Sequence, residues 1–170
     1  MISQEYIEQN RKLHESNAEY GTSGSRYTRE VAALVMACGG KDVLDYGCGK
    51  QTLSNSLPQF KFTDYDPCLE GLDSDPVPHD VVVSTDVAEH VEPEFVDAYL
   101  DDLQRLTKKA LYLVVACRPA KKTLPDGRNA HLTVYPPAWW LTKILERFNL
   151  QSYTDQGGQF KAICTPKAKQ

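Results

Sequence analysis

At 170 residues the chain has the length of one domain. With 41% apolar and 25% charged residues it can bury a core of its own, which excludes disorder, collagen or coiled coil as whole-chain readings. A net charge of −4 argues against bulk nucleic-acid binding, and no apolar run approaches the ~18 residues of a membrane helix.

The polar N-terminus, MISQEYIEQNRKLHES, carries no signal-peptide apolar core, so a cytoplasmic location is expected. Five cysteines at 38, 48, 68, 117 and 164 include no Cys-x-x-Cys pair. That supports neither a disulfide framework nor a zinc knuckle, and 38, 68, 117 and 164 read as small core residues.

The first 20 residues read as a polar helix, followed by the Gly/Ser-rich loop EYGTSGS. Residues 26–38 set Tyr27, Val31, Leu34 and Val35 on one helical face, and Gly39-Gly40 stop that helix. Val43 and Leu44 begin a short strand that runs into glycines; residues 50–57 read as a helix and Phe60 to Thr63 as a second strand. HDVVVST (79–85) and ALYLVVAC (110–117) are β-branched or apolar runs expected as buried strands. Between them lies a helix from Pro93 to Lys108, with Phe95, Val96, Tyr99, Leu100, Leu103 and Leu106 as its stripe. A long loop with Pro119, Pro125 and Gly127 precedes a helix at 136–148. Strands near 151–154 and 159–165, joined through Gly157-Gly158, close the chain as an antiparallel hairpin; the basic residues from Lys161 to Gln170 are expected to fray. Alternating strands and helices predict an α/β fold with a mostly parallel sheet, whose ligands bind beyond the carboxyl ends of the strands.

Asp45-Tyr46-Gly47-Cys48-Gly49 is expected directly after the first strand, at the first such end. Glycines there let backbone approach a ligand closely and turn sharply into a helix. Asp66 closes the second strand about 20 residues later, where an acid can hydrogen-bond ribose hydroxyls. Charge is also segregated. From Asp64 to Asp102 there are 13 Asp/Glu and no Lys or Arg; from Leu103 to Arg128 there are seven Lys/Arg and one acid. Two solvated helix faces account for this, as does a cation-binding cleft beside an anion-binding rim.

VLDYGCGK, then TDYDP, then DVVVSTDVAEHVEPE resemble a class I S-adenosylmethionine-dependent methyltransferase, in particular the small single-domain bacterial and phage members. The resemblance covers residues 18–150. It implies a Rossmann-like methyltransferase sandwich in one domain (1–170), with N-terminal helices over 1–38, a core over 41–165 and an antiparallel edge hairpin. It also implies S-adenosylmethionine as cofactor. Tyr20, Gly21, Asp45, Gly47, Cys48, Gly49, Thr85 and Asp86 would surround that cofactor, with Asp66 on its ribose. Two departures stand out. Gln51 replaces a third glycine, where a side chain would crowd the helix start. The segment from Pro67 to His79 is short, so the sheet is abbreviated between the family's second and fourth strands, and Asp73 and Asp75 compete for the acid that meets adenine.

Asp86, Glu89 and His90, spaced three to four apart, read either as a divalent-cation site or as a turn capped by Glu89. Adding His131 makes the set resemble metal-dependent 2′-O-methyltransferases of small-RNA 3′ ends. That implies Asp86, Glu89, His90 and His131 as ligands of Mg²⁺ or a similar ion. Without an ion, His90 or His131 is the candidate general base beside Glu89. Arg118, Lys121, Lys122 and Arg128 are placed to hold a phosphate-bearing acceptor, a small molecule, nucleotide or RNA end, or else to keep a surface loop soluble. Trp139-Trp140 are read as core packing rather than base stacking; His14 and His79 as surface or structural. The expected activity is methyl transfer to a hydroxyl. The alternatives are a catalytically silent binding protein on this fold, or an enzyme that consumes the cofactor without methylating.

Overall fold

The computed structural model describes residues 2–168. Helices α1 (Gln4–Ser16) and α2 (Thr28–Ala37) precede β1 (Asp42–Tyr46), α3 (Thr52–Ser56), β2 (Lys61–Tyr65) and β3 (His79–Thr85). Then come α4 (Val96–Leu106), β4 (Thr107–Ala116), α5 (Pro137–Arg147), β5 (Phe148–Asp155) and β6 (Gln159–Pro166). The sheet order is β2-β1-β3-β4-β6-β5. Strands β1 to β4 pair in parallel, and β6 pairs antiparallel with both β4 and β5.

Alternation along the central strands builds a three-layer sandwich. Val43, Val81, Val83, Tyr112 and Val114 face α2 and α3, meeting Val31, Val35, Leu53 and Leu57. Leu44, Val82, Leu111, Leu113 and Val115 face the other way, against Tyr99, Leu100, Leu103, Trp140 and Ile144 of α4 and α5. The stripe read along 95–106 is thus the buried face of α4. The tandem tryptophans split as a core pair does: Trp140 is fully buried, while Trp139 stacks on Tyr135 at 4.2 Å between ring centroids.

Helix α2 ends because Gly39 takes a left-handed φ of 58°, letting the Gly40 N–H reach the Val35 carbonyl at 2.9 Å. Between β2 and β3, residues 66–78 contain no helix or strand, so the connection over β1 is a bare loop. That is the abbreviation expected from sequence.

Two expectations fail here. The basic C-terminal segment does not fray through residue 166. Lys161 lies in β6 and pairs with Glu30 at 2.9 Å, and Cys164 is buried; Lys169 and Gln170 lie outside the described residues. Asp45 does not follow β1 but sits inside it, paired in register with Asp64. No helix among the described residues is long and apolar enough to cross a membrane.

Candidate active site

The carboxyl ends of β1 to β4 open into a crevice of about 280 Å³, roofed by α1. It lies where the strand order reverses about β1, the place such sheets bind ligands. Tyr6, Asn10 and His14 of α1, Tyr20 and Gly21, Gly47 and Gly49, Asp66, Asp86, and Glu89, His90 and His131 all line it.

Its glycines are needed for two different reasons. Gly49 (φ 51°) packs backbone to backbone on Gly21 (φ 76°). A Cβ at 49 would lie 2.6 Å from the Gly21 carbonyl oxygen, and the Lys50 N–H donates to that oxygen at 2.8 Å. At Gly47 (φ 82°) a Cβ would drive into Val87. The upstream loop and the glycine turn therefore form one wall. Asp66 steadies that wall: its Oδ2 accepts the Gly49 N–H at 3.1 Å and its Oδ1 the Cys68 N–H at 3.0 Å, leaving further lone pairs free.

Gln51 does not crowd the crevice. It takes the left-handed conformation a glycine would favour (φ 57°), and its amide reaches away to Asp64 Oδ2 at 3.0 Å. The structure places Asp45, Cys48 and Thr85 beneath the crevice lining rather than on it. Burial, reinforced by Asp64 and Asp66, pushes the Asp45 carboxyl up to about 8. Asp73 and Asp75 are both exposed and away from the crevice, Asp75 pairing with Arg105.

At the other end, a 3-10 turn at Ala88–His90 presents Glu89 and His90, and the loop before α5 supplies His131. That loop is tied down: the Thr133 N–H donates to the Glu89 carbonyl at 3.0 Å and its hydroxyl to the Val91 carbonyl at 2.6 Å. One carboxylate oxygen of Glu89 and one ring nitrogen from each histidine lie within 4.8 Å of one another. The rings are edge-on, with centroids 4.8 Å apart. His90 Nδ1 donates to the Ala130 carbonyl at 2.7 Å and His131 Nδ1 to the Arg118 carbonyl at 2.6 Å. Each ring thus keeps a lone pair on Nε2, and His131 Nε2 lies 3.9 Å from Glu89 Oε1. Glu89 is fully buried, and neither of its oxygens has a hydrogen-bond partner among the described residues. Burial and the charge of Asp86 push its carboxyl up to about 8. Burial, with His131 adding, holds His90 down at about 3, and burial lowers His131.

Asp86, expected as a fourth member, is not brought into this group. The chain leaves β3 with Asp86 in the left-handed region (φ 57°), and both its carboxylate oxygens accept from the Tyr27 hydroxyl, at 3.1 and 3.3 Å. The basic loop also differs from expectation. Arg128 is neutralised by Asp126 and Glu5, and Lys121 is exposed, whereas Arg118 and Lys122 line the crevice.

The sequence reading missed α1 as a roof. Of the two roles read for His14, surface or structural, the structure agrees with the second: it is buried against Gly21, with its pKa lowered to about 4 by burial and by Lys50 and Lys122. The available signal was Asn10 and His14 standing on the same helical face as Tyr6 and Leu13, polar groups on a stripe that folds inward. Ser3 fastens the helix, donating from its N–H and its hydroxyl to the two oxygens of Glu92 at 2.8 and 2.6 Å.

No family model and no curated protein matches the chain. Solved structures do. A DhpI complex with S-adenosylhomocysteine superposes with a TM-score of 0.69 at 20% identity, over 98% of this chain and 100% of that one. The 1,6-didemethyltoxoflavin-N1-methyltransferase of Burkholderia thailandensis, with 1,6-didemethyltoxoflavin and S-adenosylhomocysteine bound, gives 0.69 at 13% identity, over 99% and 92%. The magnesium protoporphyrin IX methyltransferase of Synechocystis, with S-adenosylhomocysteine bound, gives 0.60 at 18% identity, over 84% and 83%. The chain has the class I S-adenosylmethionine-dependent methyltransferase fold.

Proposed function

We propose that the protein transfers a methyl group from S-adenosylmethionine to a hydroxyl of a small or nucleotide-like acceptor. The observation that carries this is the open crevice walled by Gly21, Gly47, Gly49 and Asp66 at the switch point of the sheet. The residues fit the cofactor. Close-packed glycine backbone admits a nucleoside, and Asp66 retains lone pairs for ribose hydroxyls.

They also fit a divalent cation. Two histidines held by backbone carbonyls to present Nε2, beside an unpartnered buried carboxylate, form the two-His-one-carboxylate donor set of metal sites. Glu89, His90 and His131 would hold it. When bound, such an ion lowers the pKa of a hydroxyl and orients it. The chain's own part is to align the acceptor, exclude water under α1, and keep the Nε2 of each ring unprotonated near neutral pH.

Calorimetry with S-adenosylhomocysteine is the direct test. Wild type binds with micromolar affinity, and Gly47→Val and Asp66→Ala lose that binding. Absence of binding to wild type refutes the reading. Activity unchanged by chelator removes the ion alone and leaves the histidine nitrogens as proton acceptors.

A further inference from the structure

Charge around the crevice is sorted by depth. Asp66 and Glu89 are buried in its floor, with Asp86 part-exposed beside them, and Arg118 and Lys122 stand at its mouth. Among the described residues, six of the long basic side chains are ion-paired and the two cations of the crevice are not. Arg105, Arg128 and Arg147 are each engaged by two or more acids, and Lys109, Lys143 and Lys161 each pair with one. Among the described residues, no acid lies within ion-pair distance of Arg118 or Lys122.

Both are nevertheless fixed in place. Arg118 lies two residues beyond the end of β4, and its carbonyl holds the His131 ring. Its aliphatic stem lies over Gly158 at the tip of the β5–β6 hairpin, 3.4 Å from where a Cβ would stand, and the neighbouring Cys117 N–H donates to the Gly158 carbonyl at 2.8 Å. Lys122 sits over the Tyr20 ring, its Nζ 5.3 Å from the centroid and 3.3 Å from Asn17 Oδ1. The loop between them is closed on itself: the Asn129 side chain bridges the N–H and carbonyl of Ala120 at 2.9 Å each, and the Ala130 N–H donates to the Lys122 carbonyl at 3.0 Å.

A second, shallower hollow adjoins the crevice. Arg118, Lys122, His90, His131 and Tyr20 line both, whereas Gly47, Gly49 and Asp66 line only the first. The cations therefore belong to the histidine end of the site and not to the glycine wall. A guanidinium fork and an ammonium together carry +2 and match a doubly ionised phosphoryl group, one bidentate and one point contact. We infer that Arg118 and Lys122 form a phosphoryl subsite, and that the acceptor is a small molecule bearing a phosphoryl group close to the hydroxyl set between His90 and His131. The acceptor part rests on the methyl-transfer reading above; the anion site itself does not.

The test titrates glycerol 3-phosphate, glycerate and glycerol into protein saturated with S-adenosylhomocysteine, for wild type and for Arg118→Gln/Lys122→Gln. Glycerol 3-phosphate is expected to bind at least tenfold more tightly than glycerol and measurably more tightly than glycerate. The double variant is expected to lose tenfold or more for glycerol 3-phosphate. Its melting temperature and its affinity for S-adenosylhomocysteine stay within about twofold of wild type in binding and within a few degrees in melting. Equal binding of all three probes overturns the subsite. So does equal binding of glycerate and glycerol 3-phosphate, or a parallel loss of S-adenosylhomocysteine affinity, which would assign the cations to the cofactor's own carboxylate. Should wild type bind no S-adenosylhomocysteine, methyl transfer falls instead. Inorganic phosphate titrated into the free protein then decides the subsite: binding lost in the double variant upholds it, and no binding overturns it.

Discussion

Replacing Asp45 by Asn removes a charge that the folded protein resists. At pH 7 a carboxyl titrating at about 8 is about nine-tenths protonated in the folded chain, whereas the unfolded one, near 3.9, is ionised. The folded state binds the extra proton, so the stability linked to this group is fully present below about pH 4 and is lost as pH rises through about 8. Integrated from pH 7 to pH 8.5 the loss is about 1 kcal/mol. For a chain of this length that is a fall of roughly 2–4 °C in Tm. The buried thiols of Cys48, Cys68 and Cys164 act in the same direction, because unfolded thiols ionise first, but wild type and variant share them. Their difference therefore isolates Asp45. Thermal melts at pH 7 and 8.5 and constant ionic strength should show Asp45→Asn gaining roughly 2–4 °C on wild type between the two pH values. A gap that stays constant would refute the assignment of a desolvated, protonated carboxyl inside β1.

In protein kept metal-free with chelator, Glu89→Gln should show the same pH-dependent gain, since its carboxyl also titrates at about 8, and the double variant should show the two gains summed, as melts would record. Gly49→Ala should lose about 1–3 kcal/mol in urea unfolding and at least tenfold in S-adenosylhomocysteine affinity, because its new methyl meets the Gly21 backbone rather than a side chain that can move. Trp140→Ala should cost about 3–5 kcal/mol in the same assay, the range for emptying a fully buried tryptophan site. Glu92→Gln should weaken the hold on α1 by about 1–3 kcal/mol, read as faster proteolytic cleavage within residues 4–16 while the sheet remains protected.

Periodicity made the sandwich legible. Strands such as HDVVVST and ALYLVVAC cannot be satisfied except between two covering layers, and the stripe along α4 has no other use than to cover one of them. The glycine wall was legible from Gly47 and Gly49, but its reason was not. Only the fold brings Gly21 against Gly49, an approach between segments 28 positions apart that no local pattern records. Glu89, His90 and His131 could be assembled from sequence because parallel strands deliver their loops to one edge. Asp86 misled because its spacing assumes a helical turn, while a single left-handed residue at the end of β3 turns it toward Tyr27. Arg128 misled in the same manner: charge can be counted along the chain, but its neutralisation by Glu5, more than a hundred positions away, cannot.

The missing crossover helix has a consequence at the margin of the sheet. With no strand beyond it among the described residues, β2 turns an unpaired row of backbone amides and carbonyls outward, a template on which a foreign strand could extend the ladder. The strand is only five residues long, opens with the exposed Lys61, and bears the Asp64 carboxylate next to its end, locked by Gln51 and Ser54. Brevity and charge guard the border that a further strand would otherwise have sealed.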